Sequence, residues 1–263
     1  MLKSKKFMVA TFGLLCFGMT VPAVSSFADE TTTATNDPNA FDTSKMVKKA
    51  KAKGCVIKPK GKCANKKMSG FDFSQADLTG MDFTGSDLTK AIFSEATLDK
   101  ANFTGANLTS ADLSDVQSAK GANFTNASMR NANLDSGNFA KAIFTKAKAP
   151  RSNLTDADFT GATGANADFS YADITSALFE QANFKNANFS YVTGTDAQFA
   201  DAQLVGANFS NAKIQAADFS GTNLNNSKMI QSTIREADLD SANYCGALMW
   251  DGFYPDKEDC ENA

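Results

Sequence analysis

The most reactive side chains in this sequence are its cysteines, Cys16, Cys55, Cys63, Cys245 and Cys260, and they stand in a chain with no histidine at all. Without an imidazole the commonest general base and the commonest metal ligand are missing, and a Ser-His-Asp set cannot be assembled. Cys16 falls inside an apolar stretch, whereas the other four form two local pairs near opposite ends of the chain. Four cysteines allow three connectivities. In an oxidising compartment the economical pairing is Cys55 with Cys63 and Cys245 with Cys260, each closing a short loop worth about 2–4 kcal/mol. A metal site is the competing use, but there is no Cys-x-x-Cys and no histidine to complete one. No haem-attachment motif and no G-x-x-x-x-G-K-[ST] phosphate loop is present, so no cofactor and no metal are expected. Paired carboxylates could act as acid and base in the manner of glycosidases, but such a pair needs a cleft. No catalytic residue is assigned.

The elements that carry these groups follow from the N-terminus. "MLKSKK" is a basic stretch, "FMVATFGLLCFGMTV" is apolar, and Ser26 and Ala28 are small residues that suit cleavage before Asp29. Residues 1–28 are therefore expected to be a signal peptide, and the mature protein to be periplasmic or secreted. Residues 29–44, including "DETTTATNDPNA", have the composition of a flexible linker. Residues 45–70 are expected to form an N-terminal cap, a short helix over 43–53 followed by a disulfide-closed loop. Its ten lysines, Lys45, Lys48, Lys49, Lys51, Lys53, Lys58, Lys60, Lys62, Lys66 and Lys67, have no acid among them. They could rest weakly on anionic lipid or an acidic polymer through screened electrostatics, or simply form a solvated surface. From residue 68 onward, 13 basic and 25 acidic residues leave a charge of −12.

Most of the remaining chain repeats one five-residue phrase. "ANFTGANLTSADLSD", residues 101–115, says it three times: Ala, a small polar residue, a large apolar residue, a small or hydroxyl residue, then almost anything. Taking the large residue as the centre, the register holds from Phe73 through Leu113, slips by one residue near Val116–Gly121, and resumes from Phe124 to Met249. A period of five is neither helical nor alternating. It suits a chain that turns one corner per unit and stacks successive circuits at the ~4.8 Å spacing of a sheet, with the centre and the Ala inside. Each circuit alone buries almost nothing, so stability must come from stacking and both ends need caps.

"ADLTG", "ANFTG", "ANLTS", "ADFTG" and "ANFKN" give the chain its resemblance to the pentapeptide-repeat family, whose pattern is A(D/N)LxX with Phe or Leu at the centre. The resemblance covers roughly residues 71–250. It implies an all-β solenoid, a right-handed quadrilateral β-helix with four units per circuit and about nine circuits. The repeat is abandoned after about Met249, and residues 251–263 are expected to form a disulfide-pinned C-terminal cap or tail. The resemblance implies no single activity.

Four units per circuit place residues 20 apart over one another. Phe139, Phe159, Phe179, Phe199 and Phe219 should then form one ladder of rings, and Leu134, Leu154, Ile174, Ile214 and Ile234 an aliphatic one. Ala149, Gly164 and Gly194 occupy centres with small residues, where the backbone bulges inward or a cavity remains. The odd residue at 116–121 should be a bulge or small loop. Sequons such as Asn102-Phe-Thr follow from the repeat and carry little information.

Function must then lie on the outside. Arg151, Tyr171 and Tyr191 are spaced by 20, and Tyr with Arg makes a plausible partner-binding stripe, against the alternative that the rings merely shield each other. Asp156, Asp196 and Glu236 form an acidic column that keeps such a rod soluble. Trp250, Phe253 and Tyr254 could cover the last circuit or build the dimer surface that gyrase-inhibiting relatives place at this end. A lid, and hence a monomer rather than a dimer, is expected. The resulting expectation is a non-enzymatic exported rod, a scaffold or interaction module for an unknown protein or envelope component, with no nucleic acid bound. The alternative is an acidic DNA mimic that inhibits a DNA-binding enzyme such as gyrase.

Overall fold

The computed structural model describes residues 54–249. The chain divides into Met1–Ala40 and Phe41–Ala263, and all described residues lie in the second unit. The expected signal peptide, linker, helix over 43–53, Trp250, Phe253, Tyr254 and the tail at 251–263 therefore fall outside the described residues, as do Lys45, Lys48, Lys49, Lys51, Lys53 and Cys260.

Parallel bridges define four faces. Lys62, Asp82 and Asn102 open the first face, and Lys67, Asp87 and Asn107 the second. Asp72, Ile92 and Asp112 open the third, and Asp77, Thr97 and Ser118 the fourth. Each bridging residue points outward from a strand-like rung. The next residue, the centre, points inward, and the Ala two before it is also buried, as at Ala106 and Leu108.

Corners close by one local hydrogen bond. At most corners the N–H of the residue opening a unit, usually Ala, donates to the carbonyl of the previous centre, as Ala106 N to Phe103 O at 2.9 Å. The residue before that Ala takes a positive φ, 56° at Lys100 and 57° at Asn126, the signature of a type II turn. A second device holds the turn. Asp82 Oδ1 accepts from the Thr84 N–H at 3.0 Å and from its hydroxyl at 2.6 Å. Asn102 Oδ1 clasps Thr104 the same way, at 3.1 and 2.6 Å. The clasp gives the corner N–H a partner, which is the physical content of the recurring D/N-x-S/T phrase. Where the acceptor is a carboxylate it gains from being charged. The Thr89 hydroxyl and N–H, followed by Lys67 nearby, hold Asp87 below its ordinary carboxylate value. A folded-state value below the unfolded one contributes stability at neutral pH that is lost as pH falls through the depressed value.

Side chains stack as the columns require. Phe139, Phe159, Phe179, Phe199 and Phe219 are successive stacked pairs with centroids 5.5, 5.0, 4.9 and 4.9 Å apart. Rings of neighbouring columns meet edge-on, as Phe199 and Phe209 do at 5.8 Å and 90°. The alternation of stacked and edge contacts suits the ring quadrupole and fills the centre with aromatic surface. On the third face Leu134, Leu154, Ile174 and Ile214 are buried, and Ile234 is partly buried against them.

The odd residue is a six-residue unit. Opposite Thr97 the bridge falls on Ser118, and the offset of 21 persists until Asn123 pairs with Ile143. Asp99 clamps the bulge by accepting hydrogen bonds from the Ser118 hydroxyl and from the Lys120 N–H, the latter at 3.0 Å. Gln117 is the inserted residue. Its removal leaves Val-Ser-Ala-Lys-Gly, a regular unit. Deleting Gln117 should therefore leave the far-ultraviolet circular dichroism unchanged and the melting temperature equal or higher. A loss of more than about 2 kcal/mol, well above typical surface effects, would show the bulge to be required.

The ladder starts earlier than the sequence reading places it. Lys62 and Lys67, assigned above to the cap of residues 45–70, already bridge Asp82 and Asp87, because Cys63 and Met68 serve as buried centres. The Ala slot of the second of these units holds Lys66, whose N–H turns to the Ser86 hydroxyl at 3.0 Å. A disulfide joins Cys55 to Cys63 with Cα atoms 4.8 Å apart. It therefore fastens the chain directly to the first residue of the Cys63–Phe83–Phe103 column. Cys245 is also disulfide-bonded.

Candidate interaction surfaces

Small centres are resolved differently at each site. Ala149 stays in line and fully buried. At Gly164 a Cβ would lie 2.1 Å from the Phe184 ring, so the ring of the following circuit fills the vacant place. At Gly194 a Cβ would stand 2.9 Å from Ile174 Cγ1, so the preceding circuit already occupies that place. There the chain leaves the turn form. Three stacked units stay extended as β1 (Thr193–Thr195), β2 (Lys213–Gln215) and β3 (Thr233–Arg235), in parallel order β1-β2-β3.

The Arg151–Tyr171–Tyr191 column exists as stacked groups. All three residues occupy corners with φ near 60°. The tyrosine rings are 4.6 Å apart and 4° from parallel, and the Arg151 guanidinium carbon lies 5.4 Å above the Tyr171 ring. Tyr171 is 51% exposed and Tyr191 44%. Stacking along the rod consumes the ring faces between the members and turns the ring edges and hydroxyls outward. The column therefore offers an edge for apolar contact and two phenolic hydroxyls, rather than an open aromatic platform.

Two charge arrangements run around and along the circuits. From Ser118 to Arg151 six cations, Lys120, Arg130, Lys141, Lys146, Lys148 and Arg151, stand with one acid, Asp135. Lys141, Lys146 and Arg151 occupy three successive corners, so the cations form a belt around the shaft beside the tyrosines. The corner that follows the fourth face alternates Lys60, Gly80, Lys100, Gly121, Lys141 and Gly161, each lysine stem lying across the glycine of the next circuit. The acidic column behaves alike: Asp156, Asp196 and Glu236 are separated by Ser176 and Ala216, so carboxylates do not stack directly. Of the N-terminal lysines, Lys58, Lys60, Lys62 and Lys67 are exposed, and Lys62 and Lys67 stand over Asp82 and Asp87. Among the described residues no group of His, Cys, Asp or Glu could hold a metal ion. No described helix is long and apolar enough to cross a membrane.

A four-faced parallel β-helix of five-residue units defines the class. The chain belongs to the pentapeptide-repeat family. The model described as "Pentapeptide repeat region" matches residues 172–247, and that described as "Pentapeptide repeats (8 copies)" matches 67–105, 88–117, 118–148 and 151–181. No curated protein matches the chain. Among solved structures it is similar to HetL, a pentapeptide repeat protein involved in heterocyst differentiation regulation from Nostoc sp. strain PCC 7120, at 24% identity, over 73% of this chain and 91% of that one, with a TM-score of 0.38. It is similar to QnrB1, a plasmid-mediated fluoroquinolone resistance protein, at 17% identity, over 74% and 94%, with a TM-score of 0.41. A pentapeptide repeat protein of the Arabidopsis thaliana thylakoid lumen is 33% identical over 44% of this chain and 66% of that one, with a TM-score of 0.21.

Proposed function

We propose that the protein is an exported, non-enzymatic rod of the bacterial envelope that presents fixed columns of side chains to a partner protein or envelope component. The observation that carries this reading is the exposed Arg151–Tyr171–Tyr191 stack on a shaft whose interior is filled by rings. Tyrosine and arginine supply most interface anchors, and a stack held by the backbone loses little side-chain freedom on binding. The rod acts as a monomer without cofactor. Its N-terminal lysines contribute at most weak attraction to an anionic surface, since two of them already face carboxylates. An acidic DNA mimic is the lesser reading, because the cationic belt at 118–151 interrupts the negative surface that mimicry needs.

Two experiments test the proposal. A reporter enzyme active only outside the cytoplasm, fused after residue 60, should be active; an inactive fusion rejects export. Disulfide-intact protein should recover a defined partner from envelope extract that the Tyr171→Ser/Tyr191→Ser variant does not. Equal recovery by both proteins would remove the stack from the interface.

A further inference from the structure

Where β1, β2 and β3 stay extended up to their corners, the third face carries a trough. The register pairs Thr193 with Lys213 and Thr233, and Thr195 with Gln215 and Arg235. In an extended strand the first and third residues point the same way, about 6.6 Å apart at ~3.3 Å per residue. Two outward walls therefore run along the rod, with Gly194 and Ile214 between them as the floor. Gly194 adds no side chain to that floor. The resulting hollow has a volume of about 460 Å³.

Its chemistry is one-sided. No carboxylate lines the hollow, and its walls carry threonine hydroxyls, the Gln215 amide, Lys213 and Arg235. Ammonium and guanidinium groups donate only, and hydroxyls donate readily. Thr175 is engaged in a clasp with Asp173, and Gln215 donates to Glu236 at 3.3 Å. Thr193, Thr195, Thr233, Lys213 and Arg235 make no side-chain hydrogen bond or ion pair among the described residues. The complement of this surface is a ligand rich in oxygen acceptors and bearing negative charge.

Two features narrow the class. Backbone N–H and C=O groups between β1, β2 and β3 are spent on the ladder between circuits, so a peptide lying in the trough would have to bind there by side chains alone. Asp173, Asp196 and Glu236 stand around the trough, so a densely charged polymer would meet repulsion at its rim. Lys213 and Arg235 stand on opposite walls one rung apart, roughly 8 Å between Cα atoms from strand spacing and rise. A ligand with carboxylates separated by neutral hydroxylated rings meets all of these conditions. We propose that the trough between β1 and β3 binds an acidic oligosaccharide. Lys213 and Arg235 hold two of its carboxylates, and Thr193, Thr195 and Thr233 donate to its hydroxyl and ring oxygens. This site is separate from the tyrosine stack and stands or falls without it.

Titration calorimetry of the full chain, disulfides intact, against the hexasaccharides of hyaluronan and of heparosan, in which glucuronate alternates with a neutral sugar, tests the assignment. At least one hexasaccharide should bind at low salt, more weakly at high salt, whereas neutral maltohexaose should give no heat. Lys213→Gln/Arg235→Gln should weaken binding at least tenfold, and Thr193→Val/Thr195→Val several-fold, with melting temperatures unchanged. Tyr171→Ser/Tyr191→Ser should bind like the parent. The proposal is overturned if neither acidic hexasaccharide binds at millimolar concentration, if the cation variant binds as well as the parent, or if hexaglutamate binds as tightly as the acidic hexasaccharides.

Discussion

Replacing Phe159 by Ala should lower the unfolding free energy by about 3–5 kcal/mol, the range for deleting a fully buried ring. This ring stacks on Phe139 and Phe179 at 5.5 and 5.0 Å and meets Phe144, Phe169 and Phe184 at 5.3, 6.0 and 6.4 Å. Its loss opens a hole that neighbouring circuits cannot close without breaking the spacing fixed by backbone hydrogen bonds. Because each circuit is stabilised chiefly by the two beside it, the damage reaches both directions along the rod. Urea unfolding followed by circular dichroism measures the change. The Tyr171→Ser/Tyr191→Ser variant, altered only on the surface, should lose less than about 1 kcal/mol. If Phe159→Ala lost as little, the rings would not be the source of stability.

A second large effect is expected at Gly164. Substitution by Leu forces its side chain into the Phe184 ring and should cost about 3 kcal/mol, at the upper end of overpacking penalties. Phe184→Ala alone should cost about 3–5 kcal/mol by leaving the same space empty. Together the two changes exchange one filling group for another, so the double variant should be more stable than the sum of the separate losses implies by at least about 2 kcal/mol. Additive losses would mean that Phe184 does not fill the place above Gly164.

Much of this architecture was legible in the chain, and the reason is mechanical. One residue in five must be large and one small for circuits to stack, so Phe139 through Phe219 and Leu134 through Ile214 announce their columns by number alone. The unit at 116–121 was equally plain, since an extra residue shifts every later centre. Other features depend on choices that the five-residue pattern leaves open. Cys63 and Met68 were hidden as centres because lysines occupy the positions around them. Phe184 fills the space at Gly164 from the next circuit, a relation between residues distant in sequence. The trough at β1–β3 arises where no Asp or Asn precedes the centre to clasp a corner: Thr193, Lys213 and Thr233 stand there instead. Other unclasped units, such as those containing Ile92 and Thr163, still turn. The cationic belt likewise becomes visible only when Lys141, Lys146 and Arg151 are placed on successive corners.

The spacing of Lys60, Lys100 and Lys141 also sets a rule for rebuilding the molecule. With a glycine between successive lysines, their ammonium groups are held about two rises apart, close to 10 Å, which is comparable with the ~8 Å screening length of physiological saline. Grafting one additional lysine-bearing circuit into this region would set like charges on adjacent rungs, at half that distance. Grafting two would preserve both the ring order and the charge interval, so the natural increment for lengthening or shortening this protein is a pair of circuits.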